Sequence, residues 1–421
     1  MGNTSRGEIP FDASSRDGAI SRFYSAATWI EGAAEKQLHD VAALAGMMSV
    51  AAFPDLHPGK YGPVGMAARS DRLYPQLVGT DIGCGMSFFE LDLPLRKLRI
   101  DKAANQLRGL ENIEIDDPAE RLEALGMAGD YFANALGTIG GGNHFCELQA
   151  IEDAQDDTGV DRQRLHLLVH SGSRALGASI FGDVIAANGS MPEGLEIGTE
   201  AAVAYMLDHQ SALAWASLNR LMIAERAAAA LRADIRLIAD VPHNLVRLTG
   251  DGVVHYKGAA HVAPSALAPV AGSRATLSHL VRALDGVEAS LEAISHGAGR
   301  KYDRKSMHGR AGANRSEREA LMTNQWGGIA ICDDRDLVIE EAAGAYKDAG
   351  KIVADLESFG LVEPVATMRP LVTYKAARME ETRDGRDWKR ERTFARRGNH
   401  GGDVTLFDFW KRPGGMPGRP F

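Results

Sequence analysis

Residues 79–93 read GTDIGCGMSFFELDL and place Asp81 and Cys84 on a glycine-rich turn just before an apolar run. The run from 86 to 93 is short, rich in apolar and aromatic residues, and therefore predicts a β-strand. A carboxylate and a thiolate on one turn can face the same cation, because the flanking glycines let the backbone bend tightly. An isolated Asp-x-x-Cys is more often just a small buried cysteine, so the metal interpretation needs further donors elsewhere in the chain.

Other segments predict how this strand is surrounded. Short β-type runs recur at 165–170, 235–241 and 252–256, each bounded by glycine, proline or polar turn residues. Residues 20–48 are alanine-rich with apolar residues at helical spacing, and residues 201–233 predict one long helix. Strands and helices do not alternate regularly and no internal repeat occurs. The pattern therefore favours a single α+β domain.

Composition limits the classes of protein that fit. Hydrophobic residues make up 45% and charged residues 24% of the 421 residues, which is typical of a globular chain. No apolar run approaches the roughly 18 residues that span a bilayer, and the three scattered cysteines suit a reducing compartment. We therefore expect a cytoplasmic protein without a membrane partner.

The charge is distributed unevenly. The net charge is −9, but residues 369–421 carry 13 lysines and arginines against 7 acidic residues, whereas the first 368 residues carry 34 against 49. A second basic run, RKYDRKSMHGR, covers 300–310. Both segments are either solvated surface or contacts for an anionic partner such as RNA.

Three histidines add to the Asp-x-x-Cys pair. His144 in GGGNHFCE, His170 in VHSGSR and His243 in VPHN each lie at the end of a strand-like run or in a glycine-rich turn. Side chains at such positions converge from different strands. Five donors exceed one tetrahedral site, so if all bind metal, two ions bridged by Cys84 are favoured.

The order of eight short motifs carries a resemblance to a known family. DIGCGM, GGGNHF, HSGSR, PHN, HYKGA, AGSRATLS, SHGAGR and AYKD follow one another between about residues 54 and 375. In this order they resemble the RtcB family of RNA ligases. Such enzymes join an RNA 3′-phosphate or 2′,3′-cyclic phosphate to a 5′-hydroxyl, using GTP and manganese, through a covalent histidine–guanylate.

The resemblance implies roles for the metal-binding residue types. One Mn²⁺ would be held by Asp81, Cys84 and His144, and a second by Cys84, His170 and His243. The implied fold is one large RtcB-like α+β domain with mixed sheets surrounded by helices and a dinuclear metal site in a central cleft. His296, in the motif SHGAGR, would be the nucleophile that attacks GTP.

The resemblance also implies a nucleotide pocket and RNA contacts. Arg174 and the basic run 300–310 would meet RNA phosphates. The residues implied for GTP are Asn143, His144, Phe145, Cys146, Glu147, His243, Asn244, Ala271, Gly272, Ser273, Arg274, Ser278, His296, Gly297, Ala298, Gly299 and Lys375.

Domain organisation and partners follow from the same resemblance. Residues 1–375 would form the catalytic domain and 376–421 a basic C-terminal extension. The expected partners are RNA fragments with 3′-phosphate and 5′-hydroxyl ends, from tRNA or rRNA, and an archease-like activating protein. The chain departs from the family at two places near the implied GTP pocket, with Tyr256 in place of arginine and AGSR in place of a proline-glycine-serine-methionine run.

Two other functions remain compatible with the residues. A two-metal phosphoesterase that hydrolyses RNA ends or nucleotides would use a similar pair of ions to activate water. A non-catalytic RNA- or ribosome-binding protein could keep the fold and act through its basic tail. His296 separates the first alternative from a ligase, because a hydrolase needs no guanylated histidine.

Overall fold

The computed structural model describes residues 19–115, 117–155 and 158–375. Its strands, numbered in chain order, are β1 Ala19–Arg22, β2 Met47–His57, β3 Val64–Ser70, β4 Arg72–Leu73, β5 Gly85–Pro94, β6 Phe145–Ala154, β7 Arg164–Ser171, β8 Leu195–Glu196, β9 Ile235–Pro242, β10 Asn244–Thr249, β11 Gly252–Lys257, β12 Ala259–His261, β13 Leu267–Val270, β14 Ser278–Ala283, β15 Ala293–Ser295, β16 Ile329–Ile331 and β17 Val362–Tyr374. Its α-helices are α1 Gly32–Ala42, α2 Ile100–Leu107, α3 Pro118–Ala124, α4 Arg174–Asn188, α5 Glu200–Leu231, α6 Arg304–Met307, α7 Arg315–Ala320, α8 Arg335–Glu340 and α9 Ala349–Ser358.

The strand that follows the opening motif lies inside the largest sheet. This sheet has eight strands in the order β13-β14-β17-β6-β7-β5-β9, with β16 paired to β17. Its pairs are antiparallel except for β16 and β17, which are parallel. Phe88 and Phe89 of β5 point to opposite faces and each enters a different hydrophobic core. Both faces of the strand are therefore covered, which explains why its sequence is a continuous apolar run.

Helix α5 covers one face of this sheet. It begins at the N-cap Thr199, whose hydroxyl accepts from the backbone N–H of Ala202, and it packs Ile223 and Ala224 into the same core as Phe89. The predicted long helix is confirmed. No described helix, this 32-residue one included, is long and apolar enough to cross a membrane.

The predicted helix over residues 20–48 is wrong at both ends. The segment begins with β1 and ends in β2, and only the 11 residues of α1 are helical. β1 pairs in parallel with β2, with Ile20 opposite Val50, within a five-stranded sheet of order β1-β2-β3-β11-β10. Pairing between distant segments outweighs the local helical pattern, which carries no information about a partner strand.

Strand register in the large sheet places the ends of four strands together. Gly85 at the start of β5 pairs with Ser171 near the end of β7 and with Pro242 at the end of β9. Phe145 at the start of β6 pairs with His170 of β7. Because these strands are antiparallel, the residues at those ends meet at one edge of the sheet.

Contacts within the described residues separate two units. Residues 117–134 belong to a small unit, in which the Asp117 side chain accepts from the backbone N–H of Ala119 and starts α3. The remaining described residues belong to the large unit, which contains the mixed sheets and confirms the expected α+β class. The C-terminal extension 376–421 lies outside the described residues, so the predicted domain boundary stays a prediction.

Candidate metal and nucleotide site

Cys84 lies at the centre of a row of possible metal donors. Its Sγ is 3.3 Å from Nε2 of His144 and 3.3 Å from Nε2 of His170. Nε2 of His170 lies 3.3 Å from Nε2 of His243, and Oδ2 of Asp81 lies 2.9 Å from Nε2 of His144. The structure thus brings the five predicted donors together as one row, with the sulfur in the middle.

The backbone around Cys84 builds this arrangement. The backbone N–H of Cys84 donates to the carbonyl of Asp81 over 3.2 Å, which closes the turn of the Asp-x-x-Cys motif. The backbone N–H of His243 donates to the carbonyl of Cys84 over 2.8 Å. The loop after β9 is therefore tied directly to the turn before β5.

Backbone carbonyls orient two of the imidazole rings. Nδ1 of His144 lies 3.0 Å from the carbonyl of Ile139, and Nδ1 of His170 lies 3.2 Å from the carbonyl of Asn143. A carbonyl accepts a hydrogen bond, so each Nδ1 carries a proton, and in the neutral ring Nε2 keeps its lone pair toward Cys84. This tautomer is the one that a metal bound through Nε2 requires.

A buried arginine and asparagine on α5 support the same strand ends. Arg220 donates through Nη1 to the carbonyl of Gly83 over 2.7 Å and to the carbonyl of Ser171 over 3.1 Å, and its Nε donates to Asp240 over 2.8 Å. Asn219 donates to Oγ of Ser171 over 3.1 Å. Sequence reasoning missed both residues, because within the predicted helix they are indistinguishable from surface polar positions.

Burial sets the protonation of the donors. Burial raises the pKa of the Cys84 thiol well above its usual value, and the nearby carboxylate of Asp81 adds to this. Burial also lowers the pKa of His170 and of His243 well below the usual value, helped by neighbouring histidines. For Asp81, burial acts to raise the pKa, but the contact with His144 outweighs it and the net pKa is lowered.

This donor set fits a transition metal. Nε2 of His144, Nε2 of His170 and Sγ of Cys84 all lie within 4.8 Å of one another. The neutral imidazoles of His170 and His243 and an ionised Asp81 are ready to bind, whereas a buried thiol needs a cation beside it to become a thiolate. Soft sulfur, imidazole and carboxylate together suit a divalent transition ion.

Gly172 provides a test of the carboxylate's position. A Cβ at residue 172 would lie 2.2 Å from Oδ1 of Asp81, so Gly172→Ala must displace this carboxylate without removing any donor. We expect about a tenfold weaker affinity for a divalent transition ion, with Mn²⁺ as the probe, since disturbing a ligand's orientation typically costs tenfold or more. Titration of the metal-free protein measures this. Gly182→Ala is the matched control, because a Cβ there meets nothing within 4 Å, and equal affinities of the two variants would contradict the prediction.

His296 lies next to the row of donors. Its ring centroid is 4.6 Å from that of His243. Its Nδ1 lies 2.7 Å from Oδ2 of Asp55, and Oδ1 of the same carboxylate accepts from Oγ of Ser295 over 2.8 Å. Asp55 is fully buried, so its carboxylate fixes the imidazole and holds the proton on Nδ1. Sequence reasoning missed Asp55, which is 241 positions from its partner.

One cavity of about 540 Å³ joins these groups to the predicted nucleotide residues. This volume is typical of a pocket for a nucleotide-sized ligand. We call Asp81, His144, Cys84, His170 and His243 the metal-donor row; all of them except His144 line the cavity. The members of the predicted nucleotide set that line it are His243, already named, and Asn143, Phe145, Glu147, Asn244, Ala271, Gly272, Ser273, Arg274, Ser278, His296, Gly297, Ala298, Gly299 and Lys375.

Two members of the predicted nucleotide set do not line this cavity. His144 is 6% exposed and faces the metal-donor row instead. Cys146 is 1% exposed and packs with Leu148 in the hydrophobic core under the sheet. Successive residues of β6 face opposite sides, so Phe145 and Glu147 reach the cavity and Cys146 points away from it.

A buried carboxylate, Glu341, gathers cations at one side of the cavity. Its Oε1 accepts from Nη1 of Arg300 over 3.0 Å and from Nε of Arg304 over 3.3 Å, and its Oε2 lies 3.6 Å from Nζ of Lys375. The hydroxyl of Tyr346 donates to the same carboxylate. Burial opposes ionisation, but Lys375 and the two arginines lower the pKa of Glu341 to about 2.

The predicted RNA-contact residues separate in space. Arg300 and Arg304 line the cavity, but Arg310 stacks on the ring of Tyr302 at 3.9 Å. Arg174 starts α4, and its Nε lies 3.4 Å from Oγ1 of Thr138.

Lys257, from the motif HYKGA, lines the cavity and donates to the carbonyl of Gln76 over 3.2 Å. Burial lowers the pKa of Lys257 to about 8.

The two departures from the family pattern have different surroundings. Arg274 lines the cavity and donates through Nη2 to the carbonyl of Val338 over 2.6 Å. Tyr256 is 1% exposed, does not line the cavity, and donates its hydroxyl to the carbonyl of Leu291 over 2.9 Å. Of the two departures, only the one at AGSR borders the cavity, whereas we expected from the sequence that both would.

Comparisons with known proteins agree with the motif order. The chain matches the family described as tRNA-splicing ligase RtcB over residues 37–130 and 117–376. It is 41% identical to RNA-splicing ligase RtcB2 of Escherichia coli over 357 residues, covering 82% of this chain and 93% of that protein. It is 30% identical to RNA-splicing ligase RtcB of Escherichia coli K12 over 409 residues, covering 82% and 95%. It is 28% identical to RNA-splicing ligase RtcB homolog 1 of Entamoeba histolytica over 289 residues, covering 58% and 54%.

Proposed function

The chain belongs to the RtcB family of tRNA-splicing ligases, and we propose that it joins RNA 3′-phosphate or 2′,3′-cyclic phosphate ends to 5′-hydroxyl ends. The proposal includes GTP as the energy source and a histidine–GMP intermediate. The observation that carries it is the position of His296, which has Asp55 on one side, the metal-donor row on the other, and a nucleotide-sized cavity in front.

Two Mn²⁺ ions are proposed for the metal-donor row. Asp81, Cys84 and His144 would hold one ion, and Cys84, His170 and His243 the other, with the thiolate shared. When bound, such ions neutralise charge on phosphate oxygens and orient the transferring group. The central position of the sulfur, 3.3 Å from an imidazole nitrogen on either side, supports the bridge.

His296 is proposed as the nucleophile. Asp55 holds the proton on Nδ1, which leaves the lone pair of Nε2 free to attack the α-phosphorus of GTP. A phosphorus–nitrogen bond forms and pyrophosphate leaves with the electrons of the broken phosphorus–oxygen bond. A 2′,3′-cyclic phosphate is first opened by water to a 3′-phosphate. The RNA 3′-phosphate then displaces the imidazole and becomes linked to GMP, and the 5′-hydroxyl of the other end attacks that phosphate, loses its proton and releases GMP.

The cavity offers groups that suit the proposed nucleotide. Burial raises the pKa of Glu147 to about 7, and the hydroxyl of Thr373 donates to its carboxylate. Lys375 donates to the carbonyl of Gly142 over 3.1 Å and lies in the same cavity. A carboxyl group and an ammonium that line the same cavity suit a guanine edge, which presents both donors and an acceptor.

Labelled GTP tests this function directly. Incubation with Mn²⁺ and α-labelled GTP should leave the label on the denatured protein, whereas γ-labelled GTP should leave none. A two-metal phosphoesterase would release labelled product and keep no covalent label, and a non-catalytic RNA-binding protein would do neither. Absence of the α-label from protein fully loaded with Mn²⁺ would therefore refute the ligase proposal.

The proposed substrates are cleaved tRNA or rRNA. We propose that the basic extension, residues 376–421, contacts the phosphates of these RNAs. Replacing Arg390, Arg392, Arg396 and Arg397 by glutamine should weaken RNA binding and lower the slope of log affinity against log salt by about 3, at ~0.7 per lost single-strand contact. Guanylation should persist, because Lys375 and the described cavity are unchanged. The measurement is RNA affinity across a salt series.

The control for the extension variant keeps its length and replaces acidic residues of the same segment, Glu380, Glu381 and Asp384, by their amides. This control should not lower the salt slope, because it removes no positive charge. If the arginine variant and the parent protein give equal slopes and affinities, the extension does not contact RNA phosphates.

A further inference from the structure

The motif AYKD, residues 345–348, contains a lysine that the proposed chemistry has not used. Nζ of Lys347 donates to the carbonyl of Pro54 over 2.9 Å and to the carbonyl of Leu56 over 2.8 Å. These two carbonyls belong to the residues on either side of Asp55, in strand β2. One ammonium therefore holds the backbone on both sides of the carboxylate that contacts His296.

The backbone of Lys347 is hydrogen-bonded to the loop that carries His296, the partner of Asp55. Its N–H donates to the carbonyl of Gly299 over 3.0 Å, at the end of the loop that begins with His296. The neighbouring backbone N–H of Lys301 donates to the carbonyl of Ala345 over 2.7 Å. Lys347 thus connects the segment that carries the proposed nucleophile to the strand that carries its carboxylate partner.

Gly299 shows how closely these two segments approach. A Cβ at residue 299 would lie 2.2 Å from the carbonyl oxygen of Asp55, and the residue has a φ of +67°. A side chain there would push the His296 loop away from β2. The distance between Asp55 and His296 therefore depends on tight contact between these backbones, and Lys347 donates to carbonyls on both of them.

The charge of Lys347 favours the same arrangement. The fully buried carboxylate of Asp55 has the ammonium of Lys347 as a neighbouring opposite charge. Burial lowers the pKa of Lys347 to about 8, so the ammonium form still predominates at pH 7. Oδ2 of Asp55 accepts a hydrogen bond from the Nδ1–H of His296.

We propose that Lys347 is a positioning residue for the nucleophile, which holds the Asp55–His296 pair in the orientation needed for attack on a nucleotide phosphate. This inference rests on the proposed function. Lys347 acts through Asp55 rather than on the nucleotide. Its loss should therefore slow formation of the phosphorus–nitrogen bond without weakening nucleotide binding.

Lys347→Met tests this in the full-length, Mn²⁺-loaded protein. In single-turnover guanylation with α-labelled GTP, we expect the rate at saturating GTP to fall about 10- to 100-fold, as expected when a reacting group is misplaced by about 1 Å. The GTP concentration that gives half the maximal rate should change less than about threefold, because no group that binds GTP is removed. Lys351→Met, an exposed lysine on α9, is the matched control and should keep the parent rate.

A second readout does not depend on any activity. In protein with ¹⁵N-labelled histidine, the Nδ1–H of His296 bonded to Asp55 should give a proton signal that disappears in His296→Ala. We expect this signal to shift or vanish in Lys347→Met and to persist in Lys351→Met. If Lys347→Met does not fold, Lys347→Gln, which can still donate to one of the two carbonyls, takes its place in both measurements.

The outcomes separate this inference from the proposed function. A parent protein that is never guanylated refutes the function, whereas a changed His296 signal in Lys347→Met still supports the positioning role. A parental rate of guanylation in the folded variant, or an unchanged His296 signal, overturns the inference. A loss of thermal stability with an unchanged rate also overturns it, because that result marks Lys347 as merely structural.

Discussion

His296→Ala is expected to reduce covalent labelling by α-labelled GTP to background. The imidazole is the proposed point of attachment, so its removal leaves nothing to accept the phosphoryl group. Metal content should stay near that of the parent protein, because the nearest donor, His243, keeps its bonds to the backbone of Cys84 and Ala259. Labelling is measured on denatured protein, and metal by elemental analysis of the same samples.

The control for this variant is His39→Ala, an exposed histidine on α1. It should label as strongly as the parent. If His296→Ala also labels at the parental level, another residue is the nucleophile. If His296→Ala loses all bound metal as well as the label, the loss of labelling is explained by the damaged metal site. The assignment of His296 as the nucleophile then fails this test.

Cys84→Ala is expected to lose both metal ions and, with them, ligation. The sulfur lies between the imidazoles of His144 and His170, so its removal takes a donor from both proposed ions. Loss of a donor at one end of the row affects mainly one ion. We therefore expect Asp81→Asn to retain close to one ion per chain where Cys84→Ala retains almost none.

The matched control is Cys146→Ala, which removes a buried thiol from the hydrophobic core on the other side of β6. Its metal content should equal that of the parent, although its stability will fall because a buried side chain is shortened. Metal content is measured per chain after removal of loosely bound ions. Retention of one ion by Cys84→Ala, equal to that of Asp81→Asn, would contradict a bridging sulfur.

Local pattern was sufficient for several elements of the fold. The strand after Cys84 extends over Gly85–Pro94 and the long helix over Glu200–Leu231, close to their predicted bounds. The apolar run is short, contains aromatic residues and follows a glycine-rich turn, which favours a strand, whereas the alanine-rich stretch is longer than a typical strand and favours a helix. The segment 20–48 satisfied the helical pattern equally well, yet its two ends pair as strands, because pairing depends on a partner that lies elsewhere in the chain.

Motifs were also sufficient to find most of the side chains around the cavity. Aspartate, cysteine and histidine residues at turns next to strands predicted the metal-donor row from the sequence. Strand register brings that row together at one edge of the sheet. The face on which each strand residue lies was not visible in the motifs. Cys146 was therefore grouped with its neighbours Phe145 and Glu147, although the alternation of β6 turns it into the core.

By itself, the sequence determined the family and the α+β class, and it supplied the residues that we propose for metal, nucleotide and nucleophile, because residue types and their local spacing lie within contiguous motifs. Only the tertiary structure decided which groups contact them: Asp55 beside His296, Glu341 beside the cavity cations and Lys347 on the backbone around Asp55. These partners lie from about 40 to nearly 300 positions away in the chain. A hydrogen bond depends on distance and direction in space, and neither is encoded in the spacing of residues along the chain.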